Sequence, residues 1–168
     1  YRISHSPVFS QYYSWKAGQE HYRLLTYISS VFKEQTLLDI GTFNGWSSIA
    51  LGTNKTNKII SFDVETQGCV ASIREPNIEY RKENILQNPE NNKLLLSSPF
   101  IMLDTYHDGS FEQEFFDRLV SIQYNGLVMF DDIYLNDAMK DFWNSISIEK
   151  YDLTHIGHAS GTGLVVFR

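Results

Sequence analysis

The chain has 168 residues, and fourteen Lys and Arg stand against twenty Asp and Glu for a net charge of −6; no basic run or stripe is present, so nucleic acid is not an expected partner. One cysteine, Cys69, excludes a framework of internal disulfides and suits a reducing, cytoplasmic setting, while no apolar run approaches the roughly 18 residues of a membrane span and no signal peptide is visible, so no membrane association is expected. A chain of this length fits one domain, residues 1–168, burying about two-thirds of its unfolded surface, and no repeat, low-complexity tract or linker divides it.

Residues 1–17 form an aromatic, aperiodic arm with Phe9, Tyr12, Tyr13 and Trp15. Leaving that many rings in water is costly, so the arm is expected to pack. It would do so onto the domain, over a substrate site as a lid, or against a second copy in a homodimer. From Gly18 the period changes. His21, Leu24, Leu25, Ile28 and Phe32 recur at three and four residues, which predicts an amphipathic helix with Gln19 and Glu20 at its start. Leu37 to Leu51 then reads as a buried strand ending in Asp39-Ile40, a glycine loop from Gly41 to Gly45, and a helix. Glycines allow positive φ and a close approach of ligand to backbone. The helix start presents free N–H groups and the positive end of its dipole. The dinucleotide fingerprint G-x-G-x-x-G is absent, because position 43 is Phe, and the Walker lysine is absent, because Trp46 follows the second glycine.

Lys58 to Val64 predicts a second strand ending in Asp63. A carboxylate about 20 residues beyond such a loop can hold a ribose diol; Asp63 is the candidate, Glu65 the alternative, and a solvated strand-end acid the plainer reading. Ile78 to Lys82 reads as a short third strand, followed by Glu83-Asn84, a polar turn from Asn88 to Asn92 and a short helix from Lys93 to Ser98. Phe100 to Asp104 is a fourth strand, running into Thr105-Tyr106-His107-Asp108-Gly109 and a helix carrying Phe111, Phe115, Phe116, Leu119 and Ile122. After the Asn125-Gly126 turn, Leu127 to Asp132 is a fifth strand ending in two acids. Ligands of open parallel sheets bind beyond the carboxyl ends of strands, where Asp39, Asp63, Asp104, Asp131 and Asp132 all fall. Clustered like charges repel, so something positive should sit among them; a divalent cation with hard oxygen ligands answers that need, and helix caps or solvated loop charges are the alternative. Asp137 to Ile146 is helical, and Tyr151–Ile156 with Leu164–Phe167 predicts a closing antiparallel hairpin. His155 and His158 have no Cys or His cluster nearby in sequence and read as surface or turn histidines.

The pattern Asp39-x-Gly41-x-x-x-Gly45 resembles motif I of the class I S-adenosylmethionine-dependent methyltransferases. Asp104 with the Asp131-Asp132 pair and His107 resembles the metal triad and base of the metal-dependent O-methyltransferases. Within that group it is most similar to the macrocin-type sugar enzymes and the cephalosporin-hydroxylase-like proteins, and more widely to catechol O-methyltransferase. The resemblance runs from about Gly18 onward. It implies a Rossmann-like α/β fold, with seven strands mostly parallel, an antiparallel C-terminal hairpin and helices on both faces. It implies that Asp39, Gly41, Thr42, Phe43, Gly45, Asp63, Asn84 and Asp104 contact S-adenosylmethionine, with Asn84 beside the adenine and Gln19 a further candidate. It implies that Asp104, Asp131 and Asp132 hold Mg²⁺, with Asp104 and His107 catalytic and His107 the general base. The expected reaction is O-methylation of a small-molecule acceptor, a sugar or catechol-like hydroxyl. Short regions after strands two and three depart from the pattern and leave the acceptor open. A catalytically silent cofactor- or partner-binding domain and a dehydrogenase on a similar fold remain the other readings.

Overall fold

Five apolar runs form five parallel strands in the computed structural model, which describes residues 14–65, 68 and 70–168. They are β1 (Thr36–Ile40), β2 (Lys58–Asp63), β3 (Ile78–Lys82), β4 (Phe100–Leu103) and β5 (Gly126–Asp131). Two more, β6 (Lys150–Asp152) and β7 (Thr162–Phe167), complete one seven-stranded sheet in the order β3-β2-β1-β4-β5-β7-β6. β7 is antiparallel to both β5 and β6. The expected α/β fold is therefore present. Most of the aromatic arm, with Phe9, Tyr12 and Tyr13, lies outside the described residues, as does Cys69.

The helices are α1 (Tyr22–Val31), α2 (Trp46–Leu51), α3 (Asn92–Ser97), α4 (Ser110–Ser121) and α5 (Asp137–Ser145). Side chains alternate across a strand, and the cores follow that alternation. Leu38, Ile40, Ile60, Phe62, Ile101, Leu103, Val128 and Phe130 pack with Leu95, Phe115, Leu119, Met139 and Phe142 of α3, α4 and α5. Leu37, Ile59, Phe100, Met102 and Met129 pack on the other face with Leu25 of α1 and Ile49, Ala50 and Leu51 of α2. Each such side chain contributes roughly 1.5–3 kcal/mol by leaving water. Among the described residues no helix is long and apolar enough to cross a membrane.

The closing hairpin differs from its expected bounds. β6 stops at Asp152 because the Asp152 carboxylate accepts from the Thr154 N–H at 2.9 Å, and Ile156 donates back to the Leu153 carbonyl at 2.9 Å. That turn places His155 and Ile156 outside the ladder. Strand order reverses between β1 and β4, and a crevice at such a switch point is where open α/β sheets bind ligands. Gly41 makes the crevice: its φ is +98°, and a Cβ there would lie 1.6 Å from the Asp104 carbonyl oxygen.

Candidate functional site

A cleft of about 660 Å³ opens at the carboxyl ends of β1, β2 and β4, lined by Gly41, Phe43, Asp63, Glu65, Asn84, Asp104, Tyr106 and His107 among others. Asp63 fastens the glycine loop to β2. Its two oxygens accept from the Phe43 N–H at 2.8 Å and the Glu65 N–H at 2.9 Å. A carboxylate has about four acceptor sites, so capacity for two hydroxyls remains. The Asn84 carboxamide oxygen accepts from the Leu86 N–H at 2.9 Å.

Three of the sequence candidates lie under the loop and not on the cleft wall. Thr42 is buried, its hydroxyl 2.7 Å from that of Ser61. Gly45 caps α2 with φ +79°. Asp39 is fully buried and accepts from the Ser61 hydroxyl at 2.7 Å, and burial pushes its carboxyl up to about 7. Gln19 sits at the chain's turn into α1, its side chain accepting from the Lys16 N–H at 3.0 Å.

Next to the cleft, four acids and three histidines converge. His107 Nε2 is 3.1 Å from Asp104 Oδ1 and 3.6 Å from Asp132 Oδ2. His21 Nδ1 is 3.3 Å from Asp131 Oδ1 and 3.2 Å from Glu20 Oε1. His158 Nδ1 lies 3.2 Å from Asp131 Oδ2 and 3.1 Å from Asp132 Oδ1, and the Ser160 hydroxyl donates to Asp132. Burial alone would lower His21, but Asp131 outweighs it and holds the imidazole at about 9. Hydrogen bonds to Asp131 and Asp132 hold His158 at about 11. Burial opposes charge at Asp131 too, yet His21 and His158 keep it well below the usual carboxylate range. At Asp104 burial and the Asp131 charge prevail and raise the carboxyl. His107 is raised as well, burial being outweighed by Asp104.

This corrects the reading of His158 as a turn histidine without a cluster. The same groups also supply positive charge among the acids. His155, by contrast, is exposed. Sequence reasoning placed His21 only on a helix face and missed Glu112 altogether. Glu112 is 2 % exposed and accepts from the Thr105 hydroxyl and from the N–H groups of His107 and Gly109 at 2.8, 3.1 and 3.0 Å. A polar residue in the apolar register at the start of α1, and an acid three residues into α4, are the sequence signals that mark them.

No protein-family model and no curated protein sequence matches the chain. Solved structures do. A candidate caffeoyl-CoA O-methyltransferase of Staphylococcus aureus is 13% identical and superposes with a TM-score of 0.67 over 88% of this chain and 82% of its own. The O-methyltransferase TomG of Streptomyces achromogenes, in complex with S-adenosylmethionine, is 15% identical with a TM-score of 0.62 over 88% and 79%. Aeropyrum pernix fibrillarin, with S-adenosylmethionine natively bound, is 12% identical with a TM-score of 0.61 over 86% and 75%. The fold is that of the class I methyltransferases. Within the methyltransferase fold the cleft occupies the switch point, and the acid–histidine centre adjoins it through Asp104 and His107.

Whether the centre suits a cation rests on its donors. Among the described residues, ligand atoms lie within 4.8 Å of one another in three groups: Glu20–His21–His158, His21–Asp104–Asp131 and His107–Asp131–Asp132. His21 Nδ1 and Nε2, His107 Nε2 and Asp131 Oδ1 are buried without a hydrogen bond of good geometry. The expected triad of Asp104, Asp131 and Asp132 is not one of these groups, each of which includes a histidine; the residues fit a divalent cation with nitrogen as well as oxygen donors.

Proposed function

We propose that the chain transfers the methyl group of S-adenosylmethionine to the hydroxyl oxygen of a small-molecule acceptor, sugar or catechol-like. The observation that carries this reading is His107. It lines the cleft at the switch point of a class I methyltransferase fold, at hydrogen-bond distance from Asp104. In this reading the cofactor lies against Gly41 and Phe43, with its ribose on Asp63 and its adenine toward Asn84. Asp104 orients His107, whose unprotonated nitrogen takes the acceptor proton as oxygen attacks the methyl carbon and S-adenosylhomocysteine leaves. Alignment of oxygen, carbon and sulfur supplies most of the rate. A divalent ion drawing on Asp104 and Asp131 would lower the pKa of a bound hydroxyl.

The test combines binding with turnover. Calorimetry should show S-adenosylhomocysteine binding one to one, and labelled methyl should pass from S-adenosylmethionine to one of a panel of sugars and catechols. Binding without transfer to any hydroxyl would leave a silent cofactor-binding domain. NAD binding in place of S-adenosylhomocysteine would turn the reading to a dehydrogenase.

A further inference from the structure

Mg²⁺ is a hard ion that takes oxygen ligands and keeps several waters. Imidazole nitrogen favours borderline first-row ions instead. We propose that His21, Asp104 and Asp131 form a site for a borderline first-row divalent ion, of the Mn²⁺, Fe²⁺, Co²⁺ and Zn²⁺ class, and that Mg²⁺ is not its ion. The site stands on these residues alone, whether or not the cleft takes S-adenosylmethionine.

Their ligand atoms already lie within 4.8 Å of one another. His21 is 2 % exposed and neither of its ring nitrogens makes a hydrogen bond of good geometry; Asp131 is 3 % exposed and its Oδ1 makes none either. A buried polar atom without a hydrogen bond costs about 1–3 kcal/mol, and here His21 Nδ1 and Asp131 Oδ1 face each other without one. A shared ion held by one ring nitrogen of His21 and by Asp131 Oδ1 satisfies two of these atoms. His21 Nδ1 and Asp131 Oδ1 are 3.3 Å apart. Two adjacent ligands of an octahedral ion with bonds of about 2.1 Å lie about 3 Å apart, so the pair needs to close by only a few tenths of an ångström.

The surroundings have the character of ligand support. The His158 ring stands 3.2 Å from Asp131 Oδ2, the oxygen that does not face His21. Partners of this kind orient ligating carboxylates. The third ligand provides the way in: Asp104 lines the cleft and is half-buried. An ion held there has its open positions toward the cleft. Two carboxylates balance its charge, and one neutral imidazole sets the preference for a borderline metal. His107 stays out of the set, its Nε2 3.1 Å from Asp104 Oδ1.

Untagged protein stripped with a chelator and titrated with CoCl₂ tests the site, since a histidine tag would itself bind cobalt. Expected are one bound Co²⁺ with visible ligand-field bands, bands that persist in a hundredfold excess of MgCl₂, and ¹⁴N coupling in the pulsed EPR of the Mn²⁺-loaded protein. His21→Gln should remove that coupling and weaken Co²⁺ binding about 10- to 100-fold. Asp104→Asn, on the half-buried cleft wall, should weaken binding while the coupling stays. No cobalt binding would make the centre an ion-pair cluster only. Displacement by equimolar Mg²⁺, unchanged affinity in Asp104→Asn, or coupling retained in folded His21→Gln would each overturn the assignment. S-adenosylhomocysteine calorimetry on the same samples separates failure of this site from failure of the cofactor reading.

Discussion

His107 has φ +55°, in the left-handed region that few side-chain-bearing residues adopt, and Asp132 beside it has φ +56°. Such backbone costs about 1–3 kcal/mol and persists only where the surroundings impose it. Here the Glu112 carboxylate takes the His107 N–H, and the Asn136 amide donates to the His107 carbonyl at 2.8 Å. His107→Ala should cut turnover by about 10²–10⁴-fold, the share of general-base catalysis, and leave S-adenosylhomocysteine affinity nearly unchanged. In the wild type the rate should fall as pH drops, with a midpoint above the ordinary histidine value of 6.5, because Asp104 outweighs burial and raises the imidazole. A pH–rate profile of both proteins checks this; a flat profile in the wild type would take the base role from His107. Asp63→Ala should weaken S-adenosylhomocysteine binding by about 1.5–3 kcal/mol, the range for hydrogen bonds to a charged group, as measured by calorimetry. The places of Asp63 and His107 on the cleft wall were legible in the sequence, Asp63 from its interval after the glycine loop and His107 from the family resemblance. His158 was not, because its partner Asp131 is 27 residues away and meets it only through the sheet.

The segment from Thr105 to Gly109 is held as one unit by Glu112, the acid at the third position of α4. Three groups donate to its buried carboxylate. Glu112→Ala leaves those donors unpaired and should lower stability by about 1–3 kcal/mol, read from the shift of the thermal midpoint. It should also lower kcat, since His107 loses its anchor, while binding of S-adenosylhomocysteine to the Asp63 side stays close to wild type. Partial rescue by Glu112→Gln, which keeps one accepting oxygen, would distinguish positioning of His107 from a loss of folding. Elements of this kind were readable where one run of residues carries its own signal. β3 spans Ile78–Lys82 as expected, and the apolar runs before Asp63 and Asp104 became β2 and β4. The end of β6 was not readable from apolar pattern, because Asp152 spends its carboxylate on a local turn that interrupts the strand.

At the scale of the whole molecule, the buried acids and histidines set the pH at which the fold is strongest. His21 and His158 have folded values near 9 and 11, above the unfolded 6.5, so their stabilisation is complete below 6.5 and is lost as pH rises through those values. Asp39, raised to about 7, acts in the same direction, since ionising it is harder in the folded chain. Asp131 is depressed, so its stabilisation is lost as pH falls below the ordinary carboxylate range. The thermal midpoint of chelator-stripped protein should therefore be highest in mildly acid solution, about pH 4–6.5, and decline steadily toward pH 9; a midpoint of the stripped protein that rises over that interval would contradict the ion-pair arrangement. The strand order adds a consequence for biosynthesis. β7, last in sequence, lies between β5 and β6. While the ribosome is still making it, β5 has an open edge and Asp131 and Asp132 lack the neighbouring loop that brings His158 and Ser160. A nascent chain halted before Thr162 thus displays a bare strand edge, the surface on which chains pair wrongly, and the acid–histidine centre is completed only once β7 has been made.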